Sequence, residues 1–238
     1  MKITNSQTFC VQPIGRIRSL YKQKFGVPRQ PGLVGQVTGS VVLPNTDFYR
    51  QAIEGLEQFS HIWIQFLFHL VSEQESLQSR VRPPRAPDQK VGVYACRTPH
   101  RPNRLGLSLC KIGTIHFHST EIEIPLFGVD LVDGTPVLDI KPYIAYSDSA
   151  EASRGGWTES AQSLYLPVSF SEEALGQCEG LSELEDLIKQ TIEGDPRPQQ
   201  QRETNKIFHL HLGEFDIQFE VKEQKATVLK VQKRTKNE

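Results

Sequence analysis

Seven short apolar segments, each closed off by turn-forming residues, fill roughly the first 145 residues of this chain. They run Phe9–Ile17, Gln36–Leu43, His61–Leu70, Val91–Cys96, Leu107–Phe117, Glu121–Phe127 and Val137–Tyr143. A single helix interrupts them, at Asp47–Leu56, where apolar residues fall at helical spacing and Asp47 stands ready to cap. Strands with so little helix between them do not build alternating βα units. They predict a closed or nearly closed barrel, in which each strand buries one face and finds a neighbour for its edges. His61–Leu70 is almost continuously apolar and predicts a strand covered on both faces.

The chain then changes style. Ser147–Gly156 is small and polar, and predicts a linker or mobile loop. Ser171 opens a helical stretch, and Leu181, Leu184, Leu187 and Ile188 give a second helix its apolar stripe, ended by Gly194 and Pro196. Phe208–Leu212, Phe215–Val221 and Ala226–Val231 follow as a three-stranded meander, with Phe215, Ile217, Phe219 and Val221 alternating against polar neighbours. The fold class is therefore β-rich α+β: a barrel domain over residues 1–146, a linker or mobile loop over 147–165, and a small α+β domain over 166–238.

A chain of 238 residues can bury a sizeable core in this way. Its net charge of −1 creates no global field for nucleic acid, so any RNA contact must come from local clustering of basic residues. Cys10, Cys96, Cys110 and Cys178 form no CxxC pair, which argues against a zinc site or a disulfide framework and fits a reducing cytosol. Met1–Asn5 opens without an apolar signal region, and no run reaches membrane-spanning length. These features predict a soluble cytoplasmic protein with no metal and no membrane partner.

The chemistry concentrates in one loop. Between Val93 and Ser108 the chain carries Pro99 and Pro102 among Arg97, Arg101 and Arg104, with little acidic compensation. Prolines stiffen the path and guanidinium forks hold an anionic group in one geometry. Two other stretches share this character, Pro13–Gly32 and Val129–Tyr143. No G-x-G-x-x-G or P-loop accompanies them, so a doubly wound nucleotide-binding fold is not indicated.

Taken together, these three blocks and the later Asp195-Pro196-Arg197-Pro198 resemble the TrmO family of tRNA adenosine N6-methyltransferases. The resemblance implies a single β-barrel enzyme that takes its methyl group from S-adenosylmethionine. It implies cofactor contacts from Gln30, Pro31, Gly32, Phe68, His69, Arg97, Leu107, Asp133, Gly134, Thr135 and Pro136. Arg97 would anchor the cofactor carboxylate, and Asp133 and His69 are the first candidates for a proton acceptor, with His100 behind them. The implied substrate is the threonylcarbamoylated adenosine beside the anticodon of threonine tRNA, and the implied assembly a homodimer.

RNA contacts are expected from Arg82, Arg85, Arg101, Arg104 and Arg197, with Arg16, Arg18, Lys22 and Lys24 as a further basic cluster. The chain departs from the family at Cys96, where Thr is usual, and at Arg104-Leu105, where Pro-Ile is usual. The competing reading, a non-catalytic RNA-binding barrel, would expose its aromatic residues for stacking.

Overall fold

The computed structural model describes residues 9–35, 37–72, 78–86, 88–161, 165–198, 201–202 and 206–234; the chain start read above lies outside these. In chain order the barrel half comprises β1 (Gly15–Ser19), β2 (Thr38–Pro44), α1 (Asp47–Ala52), β3 (His61–Leu67), β4 (Arg80–Val81), β5 (Val91–Gly92), β6 (Leu105–Ile112), β7 (His116–Phe117), β8 (Glu121–Phe127), β9 (Pro136–Pro142) and α2 (Ala145–Asp148). After these come β10 (Val168–Phe170), α3 (Glu172–Gln177), α4 (Ser182–Glu193), β11 (Phe208–Leu212), β12 (Phe215–Lys222) and β13 (Lys225–Lys233).

The first sheet runs β2-β1-β9-β3-β6-β8, and β8 returns to β2 along its full length, from Thr38 opposite Phe127 to Pro44 opposite Glu121. The ring is closed and antiparallel, with β7 hanging from the other edge of β8. Closure leaves no long edge unpaired, which is the physical return on so many short strands. Ile17, Ile62, Ile64, Phe66, Cys110, Ile112, Ile122, Ile124, Leu126 and Val137 belong to the buried core. Phe66 of β3 faces Gly106 of β6, and a Cβ on Gly106 would fall 2.1 Å from the Phe66 ring, so the ring occupies the space a side chain would take.

Several expectations need correction. β3 is not covered on both faces; Ile62, Ile64 and Phe66 are buried while their neighbours are half-exposed, because the barrel has one inside. Strand pairing over Val91–Cys96 stops at Gly92, and Val93–Ala95 turn as a short 3-10 helix into the arginine loop. The cap of α1 is Thr46, whose hydroxyl accepts from Tyr49 N–H, and Asp47 is the first helical residue. The linker stretch begins within α2 and includes a turn whose Trp157 indole donates to Ala95 O at 2.8 Å, so this part of it is docked on the barrel.

The second sheet is ordered β10-β13-β12-β11. Its meander matches the expectation, but β10 adds a parallel fourth strand, three residues too short to show in the sequence. Ser171 caps α3 through a 3.1 Å bond from Ala174 N–H. The two halves meet along the connection from β1 to β2. There Phe25 stacks on Phe208 and Phe219 at 6.2 and 6.3 Å, and Gly213 N–H donates to Leu20 O at 2.8 Å. Among the described residues no helix is long and apolar enough to cross a membrane.

Candidate active site

The connection after β1, residues 20–37, is the thread on which the site is strung. Arg97 Nη1 donates to Gln30 Oε1 at 2.6 Å, which joins the arginine loop to the Pro-Arg-Gln-Pro-Gly loop. Two residues on, Gly32 N–H donates to Gly128 O at 2.8 Å, so the same loop is seated on the exit of β8. That exit leads directly to Asp130, whose Oδ1 accepts the Ser108 hydroxyl at 2.7 Å. Burial pushes the Asp130 carboxyl up to about 6, with Ser108, its own backbone N–H and the Arg97 cation opposing. Gln30, Gly32, Arg97, Ser108 and Asp130 thus form one polar cluster, an exposed guanidinium beside a half-buried carboxylate.

Ser108 was not among the expected site residues. The signal for Ser108 was present: β6 alternates so that Ser108, Cys110 and Ile112 face inward, and a lone hydroxyl on an apolar face needs a partner. The same alternation sends the Leu107 side chain outward, half-exposed, on the face opposite Ser108.

Phe68 and His69 follow the end of β3. The Phe68 N–H donates to Arg104 O at 2.8 Å, and the Phe68 ring meets Phe66 edge-on at 4.9 Å. His69 is half-buried; burial pulls its imidazole below the ordinary value, with Lys24 adding to the effect and the Leu67 carbonyl opposing it. Its Lys24 neighbour sets it against the same 20–37 connection. Arg104 sits at φ 51°, and its guanidinium donates to Val71 O at 2.9 Å. Proline is confined near −65°, so a proline at this position could not follow the path the loop takes.

The Asp133–Pro136 turn is brought to the same connection, facing its other end. Asp133 Oδ1 accepts the Ser19 N–H at 2.9 Å, and Oδ2 pairs with Lys22 Nζ at 2.8 Å. Burial alone would raise this carboxyl, but Lys22, Ser19 N–H and Arg16 together hold it below the ordinary value. Gly134 N–H donates to Ile17 O, the buried Thr135 hydroxyl donates to Val132 O, and Pro136 of β9 pairs with Arg16 of β1. These bonds commit the turn to holding β1 in place. No hydrogen bond in the described residues joins it to Arg97 or Gln30.

Of the arginines expected at RNA, Arg82 and Arg85 are exposed, and Arg101 donates to Cys96 O at 3.4 Å. Arg197 requires correction. It is 1% exposed and forks onto Asp195, Nε to Oδ1 at 2.7 Å and Nη2 to Oδ2 at 3.1 Å, so it cannot meet a phosphate where it stands. Arg18 is likewise neutralised by Glu121 and Glu123, and Lys22 by Asp133. An open groove of about 530 Å³ lies at the start of β1, lined by Ile14, Arg16, Leu43, Pro44, Tyr49 and Glu121, and shares no residue with the polar cluster.

Residues 16–149 match the family model of the tRNA-methyltransferase O N-terminal domain, and residues 163–234 that of the TrmO C-terminal domain. The chain is 38% identical to the tRNA (adenine(37)-N6)-methyltransferase of Escherichia coli K12, over 90% of this chain and 94% of that one. It is 38% identical to a putative S-adenosylmethionine-dependent methyltransferase, RcsF, of Pseudomonas aeruginosa, over 88% and 91% of the two chains. The crystal structure of TrmO from P. aeruginosa superposes with a TM-score of 0.76 at 34% identity, covering 97% of this chain and all of that one.

Proposed function

The chain belongs to the tRNA-methyltransferase O family, and from that premise we propose that it is an S-adenosylmethionine-dependent methyltransferase acting on N6 of adenosine 37 in tRNA. The observation that carries this is the correspondence with the E. coli enzyme through both halves of the chain. The finer reading is that the substrate is the threonylcarbamoylated adenosine beside the anticodon of threonine tRNA. We also read residues 1–146 as the cofactor-binding catalytic domain, 166–238 as a separate small domain, the protein as cytoplasmic, and the working unit as a homodimer. Exposed Leu33, Leu105 and Leu107 supply apolar surface for a second copy.

The donor set of the cluster fits the cofactor. Arg97 is exposed and cationic, suited to the carboxylate; Asp130 is an acceptor with one oxygen committed to Ser108, suited to a positive ammonium or sulfonium. When bound, S-adenosylmethionine supplies an electrophilic methyl group. Gln30, Pro31 and Gly32 form the wall that Arg97 and Gly128 hold in place, and Phe68 supplies an apolar ring beside His69. The task of these residues is alignment and exclusion of water, which together account for much of the rate in an in-line displacement.

An adenosine N6 carrying a carbamoyl group is a poor nucleophile, so removal of its proton assists transfer. His69, held neutral at neutral pH by burial and Lys24, is free to accept it. Asp130, pushed up to about 6, is a stronger base than an ordinary carboxylate and is the second acceptor. Asp133, paired with Lys22 and Ser19, is the weakest of the three and serves to hold its turn.

The test is calorimetric titration with S-adenosylmethionine of wild type and Arg97→Ala, followed by methyl transfer to tRNA with and without the threonylcarbamoyl group. Micromolar binding lost in Arg97→Ala, and transfer confined to the modified tRNA, is expected. Folded protein that neither binds the cofactor nor methylates tRNA overturns the reading.

A further inference from the structure

Asp195-Pro196-Arg197-Pro198 lies between α4 and β11, and the structure turns it inward. Asp195 is 4% exposed and sits at φ 44°, its N–H bonded to Ile192 O at 2.9 Å as the helix ends. Its carboxylate receives the Arg197 fork and the Arg197 backbone N–H at 3.3 Å; Arg197 Nη1 goes on to Arg202 O at 3.0 Å. Two prolines and a bidentate pair leave this short stretch little freedom.

That rigid knot points two backbone carbonyls the same way. Arg29 Nη2 donates to Asp195 O at 3.0 Å and to Arg197 O at 3.4 Å. Arg29 O in turn accepts the Gln30 amide Nε2 at 2.6 Å, and Gln30 Oε1 accepts from Arg97. A continuous chain of bonds therefore runs from the buried pair of the second sheet's half to the exposed guanidinium of the barrel loop. Arg202 ties the same carboxylate to a second barrel loop, Nε to Asp195 Oδ2 at 3.3 Å and Nη1 to Pro84 O at 3.4 Å.

A buried ion pair is a weak source of stability, since desolvation offsets much of its attraction. This one has a geometric output: it aims two acceptors at the residue preceding Gln30. We propose that the Asp195–Arg197 pair, acting through Arg29, is a positioning device that sets Gln30–Gly32 for the cofactor. The role of this cofactor loop rests on the methyltransferase reading above. Arg29 and Arg197 are positioning residues, and the motif faces the cofactor loop, with RNA contact left to other arginines.

The test uses the full-length protein. Arg197→Ala strands a buried carboxylate and is expected to fold poorly, so Arg29→Met carries the experiment; it keeps the apolar stem and removes the donors. Cofactor affinity is expected to fall about tenfold, the worth of a hydrogen bond from a charged donor, and Arg29→Lys to recover part of it. The kcat at saturating cofactor and the KM for tRNA are expected to stay near wild type, and the urea midpoint to fall only by what two unpaired carbonyls cost. In Arg29→Met/Gln30→Ala the two losses are expected not to add, because they break one chain.

Hydrogen exchange in the cofactor-free protein gives an independent readout: the Gly32 amide, bonded to Gly128 O, is expected to lose protection in Arg29→Met. Unchanged protection and wild-type affinity overturn the proposal. So does a loss spread equally over kcat, the KM for tRNA and unfolding, which is a general structural role. Wild type that binds no cofactor, with the loop loosened in Arg29→Met, supports the positioning device and overturns the methyltransferase reading alone.

Discussion

Ser108 donates its hydroxyl proton to Asp130 Oδ1 across 2.7 Å, one residue arriving on β6 and the other from the exit of β8. The bond satisfies the one polar side chain on the inner face of β6 and fixes a half-buried carboxylate near Arg97. Burial makes that carboxylate costly to ionise, and the cost sits where the chemistry is expected.

Asp130→Asn keeps an acceptor for Ser108 and removes the charge. In the fold the carboxyl titrates at about 6 against an ordinary 3.8, so the folded state binds the proton more tightly. Ionisation therefore takes away stability as pH rises from about 4 to about 6, and the full cost stands above that. Asp130→Asn is expected to be more stable than wild type at pH 7, on the order of 1–3 kcal/mol, with the gap closing toward pH 4. Its methyl transfer is expected to fall at least about tenfold. Urea unfolding across pH 4–8, with turnover beside it, checks both; a variant equally stable and equally active removes Asp130 from the site.

Asp133 behaves oppositely. Lys22 and Ser19 N–H hold its carboxyl below the ordinary value, so its contribution is present at neutral pH and is lost only as pH falls below about 4. The pair is about a third exposed, so Asp133→Asn is expected to cost less than about 1 kcal/mol at pH 7. Turnover is expected to change less than about threefold, since an essential base contributes far more. A hundredfold loss of kcat with intact cofactor affinity would return Asp133 to the role of proton acceptor.

Gly106→Ala drives a methyl group into the Phe66 ring, 2.1 Å from its nearest atom. Overpacking between β3 and β6 is expected to lower stability by about 1–3 kcal/mol. Phe66→Leu in the same chain is expected to recover part of the loss, and a denaturation double-mutant cycle measures the coupling. Strictly additive losses would mean that the ring is not seated on Gly106.

Arg104 at φ 51° gives a test of the arginine loop's path. Arg104→Pro cannot reach that angle and loses the N–H that donates to Arg101 O at 3.0 Å, so a cost above about 1 kcal/mol and weaker cofactor binding are expected. Arg104→Gly reaches the angle freely and is expected to stay within about 1 kcal/mol of wild type. Equal stability of the two variants in urea would show that the positive angle is not required.

Much of the architecture was legible in the chain because it is periodic. Alternation along Phe215–Val221, the Gly194–Pro196 stop and the succession of short strands are local consequences of side-chain spacing, and barrel closure follows from the need to pair every edge. Composition and resemblance together singled out the loops bearing Gln30, Arg97 and Asp133, and the bond from Arg97 to Gln30 came only with the fold. Local signals failed where partners are distant. Nothing near Ser108 announces Asp130, 22 residues on, and nothing in Asp195-Pro196-Arg197-Pro198 says that its arginine turns inward to brace a loop 168 residues away. A guanidinium reads the same in sequence whether it faces solvent or a buried carboxylate. Charge and periodicity are carried by the residues themselves, but desolvation and hydrogen-bond partnership exist only once tertiary packing has chosen the neighbours.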